Sequence, residues 1–233
     1  FAAWTTIDEL RQQVASMGAL TLAAATDGNH GRAVARMARW LGFSARIRVP
    51  VGTVSARIDA IASEGAEVTV SDGNYDTAVA EVAAWADDTT LVVSDTSWEG
   101  YQDVPAWIID GYSTIFAELD EQLAAAGLAA PTAIFVPVGV GAFGASVVDW
   151  ARSPGGPGGV LVAVEPDDAA CVMESARAGE LVTLPGEQRS IMAGLNCGTP
   201  SPVAWPRLSA GTDAFAVVSD DDARAAMRQL AAA

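Results

Sequence analysis

Lysine is missing altogether from the 233 residues: all 13 basic side chains are arginine, against 29 acidic ones, for a net charge of −16. Chemistry that needs a primary side-chain amine cannot be completed by these residues alone. So negative a surface also repels nucleic acid and anionic lipid. Histidine occurs once and cysteine twice. Cys171 and Cys197 are too few for a disulfide framework, and their spacing fits no zinc pattern. Buried thiols in a cytoplasmic protein are expected, with a bridge between them left open. No apolar run approaches the roughly 18–20 residues of a membrane helix, and no basic-then-apolar leader opens the sequence. Membrane spanning and secretion are therefore not expected. What is present is a chain 51% hydrophobic and 18% charged, the composition of a globular protein long enough for a sizeable core.

Short apolar runs alternate with amphipathic stretches. The runs predict strands over Leu20–Ala25, Ala45–Val49, Glu67–Val70, Leu91–Ser94, Ala133–Val136, Val160–Val164 and Ala214–Val217. Helical periodicity predicts helices over Thr6–Met17, His30–Leu41, Val54–Glu64, Tyr75–Trp85, Val104–Ala125, Phe143–Ala151, Ala169–Ala178 and Asp220–Leu230. Strand followed by helix, repeated, predicts an α/β fold with mainly parallel sheets. Thr53 or Ser55 is expected to cap the third helix, and Gly42 and Gly65 to terminate the second and third. The sequence opens and closes abruptly, which leads us to expect an internal portion of a longer protein with exposed apolar edges.

Three stretches carry candidate chemistry. Thr26-Asp27-Gly28-Asn29-His30-Gly31 follows a strand and opens a helix. Its glycines allow a tight turn, and the free amides of the helix start suit a carboxylate or phosphate. Pro137-Val138-Gly139-Val140-Gly141-Ala142-Phe143-Gly144 is a second glycine-rich strand–helix link, the arrangement that cradles a phosphate on backbone N–H groups. No Gly-Lys-Ser/Thr follows, so it is not a Walker loop. Read as Gly-x-Gly-x-x-Gly it also fits a dinucleotide fold, for which Glu165, at the end of the next strand, stands where the ribose-binding acid is expected. The third stretch, Ser94-Asp95-Thr96-Ser97-Trp98-Glu99-Gly100-Tyr101, puts two acids among aromatics, a setting that suits a general acid or base.

In order along the chain these stretches, with Asn74-Tyr75-Asp76, Val164-Glu165-Pro166-Asp167 and Ile191-Met192-Ala193-Gly194-Leu195-Asn196-Cys197-Gly198, resemble the diaminopropionate ammonia-lyase family. Its members are pyridoxal-phosphate (PLP) enzymes of fold type II. Asn29-His30 alone is shared with the serine and threonine dehydratases; Asp27, Trp98–Tyr101 and Met192–Leu195 are more specific. The resemblance covers almost the whole chain.

The resemblance implies two three-layer α/β/α lobes with the cofactor in the cleft between them. Residues 1–19 would be a remnant of the large lobe, 20–97 the small lobe, and 98–233 the large lobe, incomplete at its C-terminus. It implies that Gly139, Val140, Gly141 and Ala142 bind the PLP phosphate, that Asn29 meets the ring hydroxyl, and that Gly194 lines the pocket. Thr26, Gly28 and His30 would take the carboxylate of a small amino-acid substrate. Asp27 would be the principal acid/base, and Asp95 would assist at the amino group. The reaction implied releases pyruvate and two molecules of ammonia from 2,3-diaminopropionate, in a cytoplasmic homodimer that uses no metal. The sequence departs from the family in lacking the Schiff-base lysine and the Ser-Gly-Glu-type stretch that holds the pyridine nitrogen. The chain by itself is therefore expected to be inactive. A serine or threonine dehydratase, a non-catalytic lysine-free relative and a dinucleotide-binding domain are the alternatives.

Overall fold

The structure, a computed structural model, describes residues 2–26 and 28–232. It divides into two compact units, Phe1–Ser94 and Asp95–Ala233.

The first unit opens with α1 (Ile7–Val14) and contains β1 (Thr21–Ala25), α2 (Asn29–Leu41), β2 (Ser44–Val49), α3 (Ser55–Ala62), β3 (Glu67–Val70), α4 (Tyr75–Ala83) and β4 (Thr90–Val92). Its sheet runs β3-β2-β1-β4, every pair parallel. That follows from helical crossovers between successive strands. The alanines of β1 are fully buried and let helices approach closely; Leu22, Ala24, Val34, Ala38, Ile47 and Ile61 form the core. Gly42 ends α2 at φ +82°, a left-handed conformation that favours glycine. Neither Thr53 nor Ser55 caps α3. Val54 occupies the cap, and the Thr53 hydroxyl donates instead to the Pro50 carbonyl at 2.8 Å. Glu64, just beyond α3, is nearly fully buried and pairs with Arg32, Arg36 and Arg39 along one side of α2. The Arg36 hydrogen bond, then that of Arg32 and the charges of Arg36 and Arg39, lowers its pKa to about 2.

The second unit holds α5 (Asp103–Gly111), α6 (Ser113–Ala125), β5 (Ala133–Pro137), α7 (Ala142–Arg152), β6 (Val160–Pro166), α8 (Cys171–Ala178), α9 (Trp205–Gly211), β7 (Ala214–Val218) and α10 (Asp220–Ala232). The order β5-β6-β7 is again parallel throughout. The single helix expected over Val104–Ala125 is two, broken after Gly111, where a residue without a side chain weakens the helix. Helix α9, which starts with Pro206 in its first turn, was not expected. Leu161, Ala163, Val136, Ala145 and Leu208 are buried in this unit's core, whereas Phe135 on β5 is 70% exposed.

Candidate active site

In the first unit, β1 is followed directly by Thr26, whose Oγ1 accepts from the amides of Gly28 at 3.0 Å and Gly31 at 3.1 Å. Its own N–H donates to the Arg48 carbonyl. The side chain therefore shapes the turn from beneath. Gly31 is required here: a Cβ would stand 2.1 Å from the Thr26 methyl and 3.0 Å from Ile47, so α2 starts in direct contact with the strand. Asn29, the first helical residue, is exposed. His30 donates from Nε2 to the Val93 carbonyl at 2.7 Å. A carbonyl is acceptor only, so Nε2 carries a hydrogen. Asp27, assigned the acid/base role by resemblance, lies outside the described residues.

In the second unit the Pro137–Gly141 loop turns β5 into α7. Gly141 sits at φ +101° and caps α7 with no side-chain hydrogen bond. The first amides of a helix have no partner within it, and among the described residues no backbone carbonyl accepts from Val140, Gly141 or Ala142. These donors and the positive end of the helix dipole make an anion cradle. The loop is fixed from two sides. Val138 N–H donates to Val164 O at 3.0 Å, and Val140 O accepts from Ser201 N–H at 2.7 Å. A Cβ on Gly139 would lie 3.1 Å from Cys197 Sγ and from the Gly194 carbonyl. The Gly194 and Gly139 segments, which the resemblance assigned to one cofactor, are thus in contact. The Gly194 turn is itself tied down: Asp220 accepts from the Ser190 hydroxyl at 2.6 Å and the Ile191 amide at 3.0 Å.

The Asp95 stretch joins the same group. Ser97 N–H donates to Ser201 Oγ at 3.0 Å, and Val203 N–H donates to Ser97 Oγ at 2.9 Å. Both serines are buried. Ser201 therefore holds the cradle with its backbone and the Asp95 loop with its hydroxyl. Trp98 stacks on Tyr101 at 4.2 Å between ring centroids. Gly100, at φ +81°, allows the tight turn between them. Asp95 is half-buried. Tyr112, a residue the sequence reading passed over, reports its charge: burial first, then Asp95, raises the phenol pKa. The Tyr112 ring meets Phe143 of α7 edge-on at 5.4 Å. An aromatic at the α5–α6 break was the available signal.

Glu165 is fully buried. Its two carboxylate oxygens accept from the amides of Val172 and Met173, each at 2.7 Å. Desolvation outweighs these bonds and raises its pKa to about 7. A carboxylate turned inward onto α8 is not available to a ribose hydroxyl, which removes the support for the dinucleotide alternative.

Parallel α/β units, one with an uncapped glycine loop at a helix start, suit an enzyme that holds a phosphate-bearing cofactor. The chain belongs to the pyridoxal-phosphate dependent enzyme family, matching it over residues 1–233. It is 39% identical over 218 residues to diaminopropionate ammonia-lyase of Escherichia coli strain K12, a match covering 91% of this chain and 53% of the relative. The structure of the Escherichia coli diaminopropionate ammonia-lyase in complex with D-serine superposes with a TM-score of 0.79 at 38% identity, over 91% of this chain and 52% of that one. An L-threonine dehydratase from Pasteurella multocida is 32% identical over 161 residues, 69% of this chain and 29% of the relative. The chain thus spans about half the length of the ammonia-lyases it matches, and its fold is that of fold-type-II PLP enzymes. Among the described residues no helix is long and apolar enough to cross a membrane.

Proposed function

We propose that this chain is part of an enzyme that eliminates ammonia from 2,3-diaminopropionate, yielding pyruvate and two molecules of ammonia, with PLP as cofactor. The observation that carries the reading is the uncapped start of α7, packed through Gly139 against the Gly194 turn. Its donors and shape fit the phosphate of PLP. The amides of Val140, Gly141 and Ala142 hold that phosphate, Gly194 borders the ring, and Asn29 meets the ring hydroxyl.

When bound, PLP supplies an electron sink that makes the Cα proton of an amino acid removable. The Thr26–His30 turn receives the substrate carboxylate, and the His30 N–H at the start of α2 donates to it. Thr26, whose own N–H is held by Arg48, and Gly28, whose N–H is held by the Thr26 hydroxyl, shape the turn around it, and the His30 ring stays on the Val93 carbonyl. Asp27 takes the Cα proton and returns it to the leaving β-nitrogen, which departs only as a protonated amine. Asp95, beside Tyr112, assists at the amino group. Acid–base help of this kind is worth about 10²–10⁴-fold. The amine that would fix the cofactor covalently is not among these residues, so the chain alone has no turnover. The working protein is a cytoplasmic homodimer, which sedimentation and cell fractionation check.

The test uses the protein of the complete reading frame, supplied with PLP and 2,3-diaminopropionate. Pyruvate release supports the reading, and Asp95→Asn lowers it. Turnover of serine or threonine with none of the diamine contradicts it in favour of a dehydratase. Pyruvate release by the 233-residue chain alone contradicts the lysine argument. Absence of lysine is the one observation favouring a second reading, a non-catalytic relative that binds an amino acid; a complete frame without a lysine would support it.

A further inference from the structure

The buried carboxylate of Glu165 has no part in the chemistry above. It lies at the end of β6, one residue after Val164, whose carbonyl anchors Val138 of the cradle loop. Its oxygens hold the first turn of α8 through Val172 and Met173. The residue that opens α8, Cys171, directs its thiol at the Gly139 carbonyl, 3.9 Å away. Glu165 thus reaches the cradle from both sides: through Val164 along its own strand and through Cys171 across the turn.

We propose that Glu165 is a positioning residue for the phosphate cradle, its ionised carboxylate fixing the start of α8 and, through Cys171, the carbonyl of Gly139 and the amides that follow. This rests on the reading of the Val140–Ala142 amides as the PLP phosphate site.

The groups facing Glu165 make the carboxylate the variable element. From α8 come Cys171, whose single S–H is shared between this carboxylate and the Gly139 carbonyl, and Glu174, whose charge opposes its ionisation. Its register partner on β7 is Val217. The charged residues of α7 are engaged elsewhere, Asp149 with Arg207 and Arg152 with Asp213. Protonation converts one acceptor oxygen to a hydroxyl, a poorer acceptor, so one of the two α8 amides loses most of the strength of its bond. With the pKa raised to about 7 by burial, that loss falls near neutral pH.

The experiment measures binding of PLP, and of pyridoxal without the phosphate, to the 233-residue chain and to Glu165→Gln, by equilibrium dialysis in reducing buffer across pH. Glutamine presents one acceptor, so it mimics the protonated state at every pH. The phosphate's own titration cancels in the ratio of the two dissociation constants for PLP. The expected ratio is about 3–10 at one unit above the Glu165 midpoint, a part of what a charge-assisted hydrogen bond is worth. It falls toward unity one unit below, and the pyridoxal ratio stays near unity throughout. A PLP ratio that does not change with pH overturns the proposal. Should Glu165→Gln fail to fold by circular dichroism, Cys171→Ala carries the same test, because it cuts the link and leaves the α8 cap; binding and pH profile equal to those of the parent chain then overturn it. Binding of PLP no tighter than pyridoxal at any pH removes the cradle reading itself, and the proposal with it. PLP preference with an unchanged profile removes the Glu165 role alone.

Discussion

Replacing Gly141 by alanine isolates what the cradle demands of its backbone. At φ +101° a side chain is strained by about 1–2 kcal/mol. The new Cβ would also stand 2.6 Å from Leu208 Cδ1 and 3.3 Å from the Ala204 Cβ. Leu208 is fully buried on α9, so it has little room to yield, and overpacking of this kind costs about 1–3 kcal/mol. Together the two effects predict a loss of about 2–5 kcal/mol in the second unit, read as lower protection of the α7 amides in native-state hydrogen exchange. Leu208→Ala alone leaves a cavity and costs about 2–5 kcal/mol. In the double variant the truncated Leu208 makes room for the methyl added at Gly141 and relieves the clash but not the backbone strain. The pair should therefore be less destabilised than the sum of the singles by about 1–3 kcal/mol. A single Gly141→Ala change within about 0.5 kcal/mol of the parent, or strict additivity in the double variant, would refute the packing argument.

Glu165 also makes stability depend on pH. Its folded pKa, about 7, lies above the ordinary 4.5, so the folded chain holds a proton that the unfolded chain releases. Stability contributed by this group falls as pH rises from 4.5 to about 7, by about 3 kcal/mol in total, and is level beyond; Glu165→Gln removes that slope from thermal unfolding curves, and a parent chain without the slope contradicts the assignment. Glu64 behaves in the opposite sense, its pKa held down at about 2 by Arg36 first and by Arg32 and Arg39. The contribution it makes is complete above 4.5 and lost as pH falls toward 2, so Glu64→Gln should lower the melting temperature at neutral pH and match the parent in strong acid; equal melting temperatures at neutral pH would show the arginines carry nothing. Ser201→Ala leaves the buried Ser97 amide without its acceptor, at about 1–3 kcal/mol, and should change the fluorescence of the nearby Trp98; unchanged stability and emission would sink the idea that Ser201 joins the two loops.

The strands were legible because each is a short apolar run bounded by glycine, proline or a polar turn, and all seven appear within a residue or two of the pattern. The α5–α6 break was not, since apolar periodicity continues past Gly111 and one glycine inside a helical pattern does not by itself end it. Helix α9 hid behind Pro206, which is tolerated in a first helical turn but reads as a loop. The Thr53 cap failed because the helix starts one residue later, with Val54 at the cap position, and the Thr53 hydroxyl turns back to the Pro50 carbonyl. At the site, both glycine loops could be read locally, each being a complete strand–turn–helix unit in consecutive residues. The Ser97–Ser201 bond could not, because 104 residues separate its partners and serine pairs leave no periodic trace. The pattern flagged Glu165 but suggested a ribose contact; only burial shows that it faces α8.

The central claim is that the amides opening α7 hold the phosphate of PLP. Amide NMR of the chain titrated with PLP, and in parallel with pyridoxal, tests it directly. The account predicts that the Val140, Gly141 and Ala142 resonances shift with PLP and stay in place with pyridoxal. Shifts confined to other segments, or identical with both compounds, would contradict it.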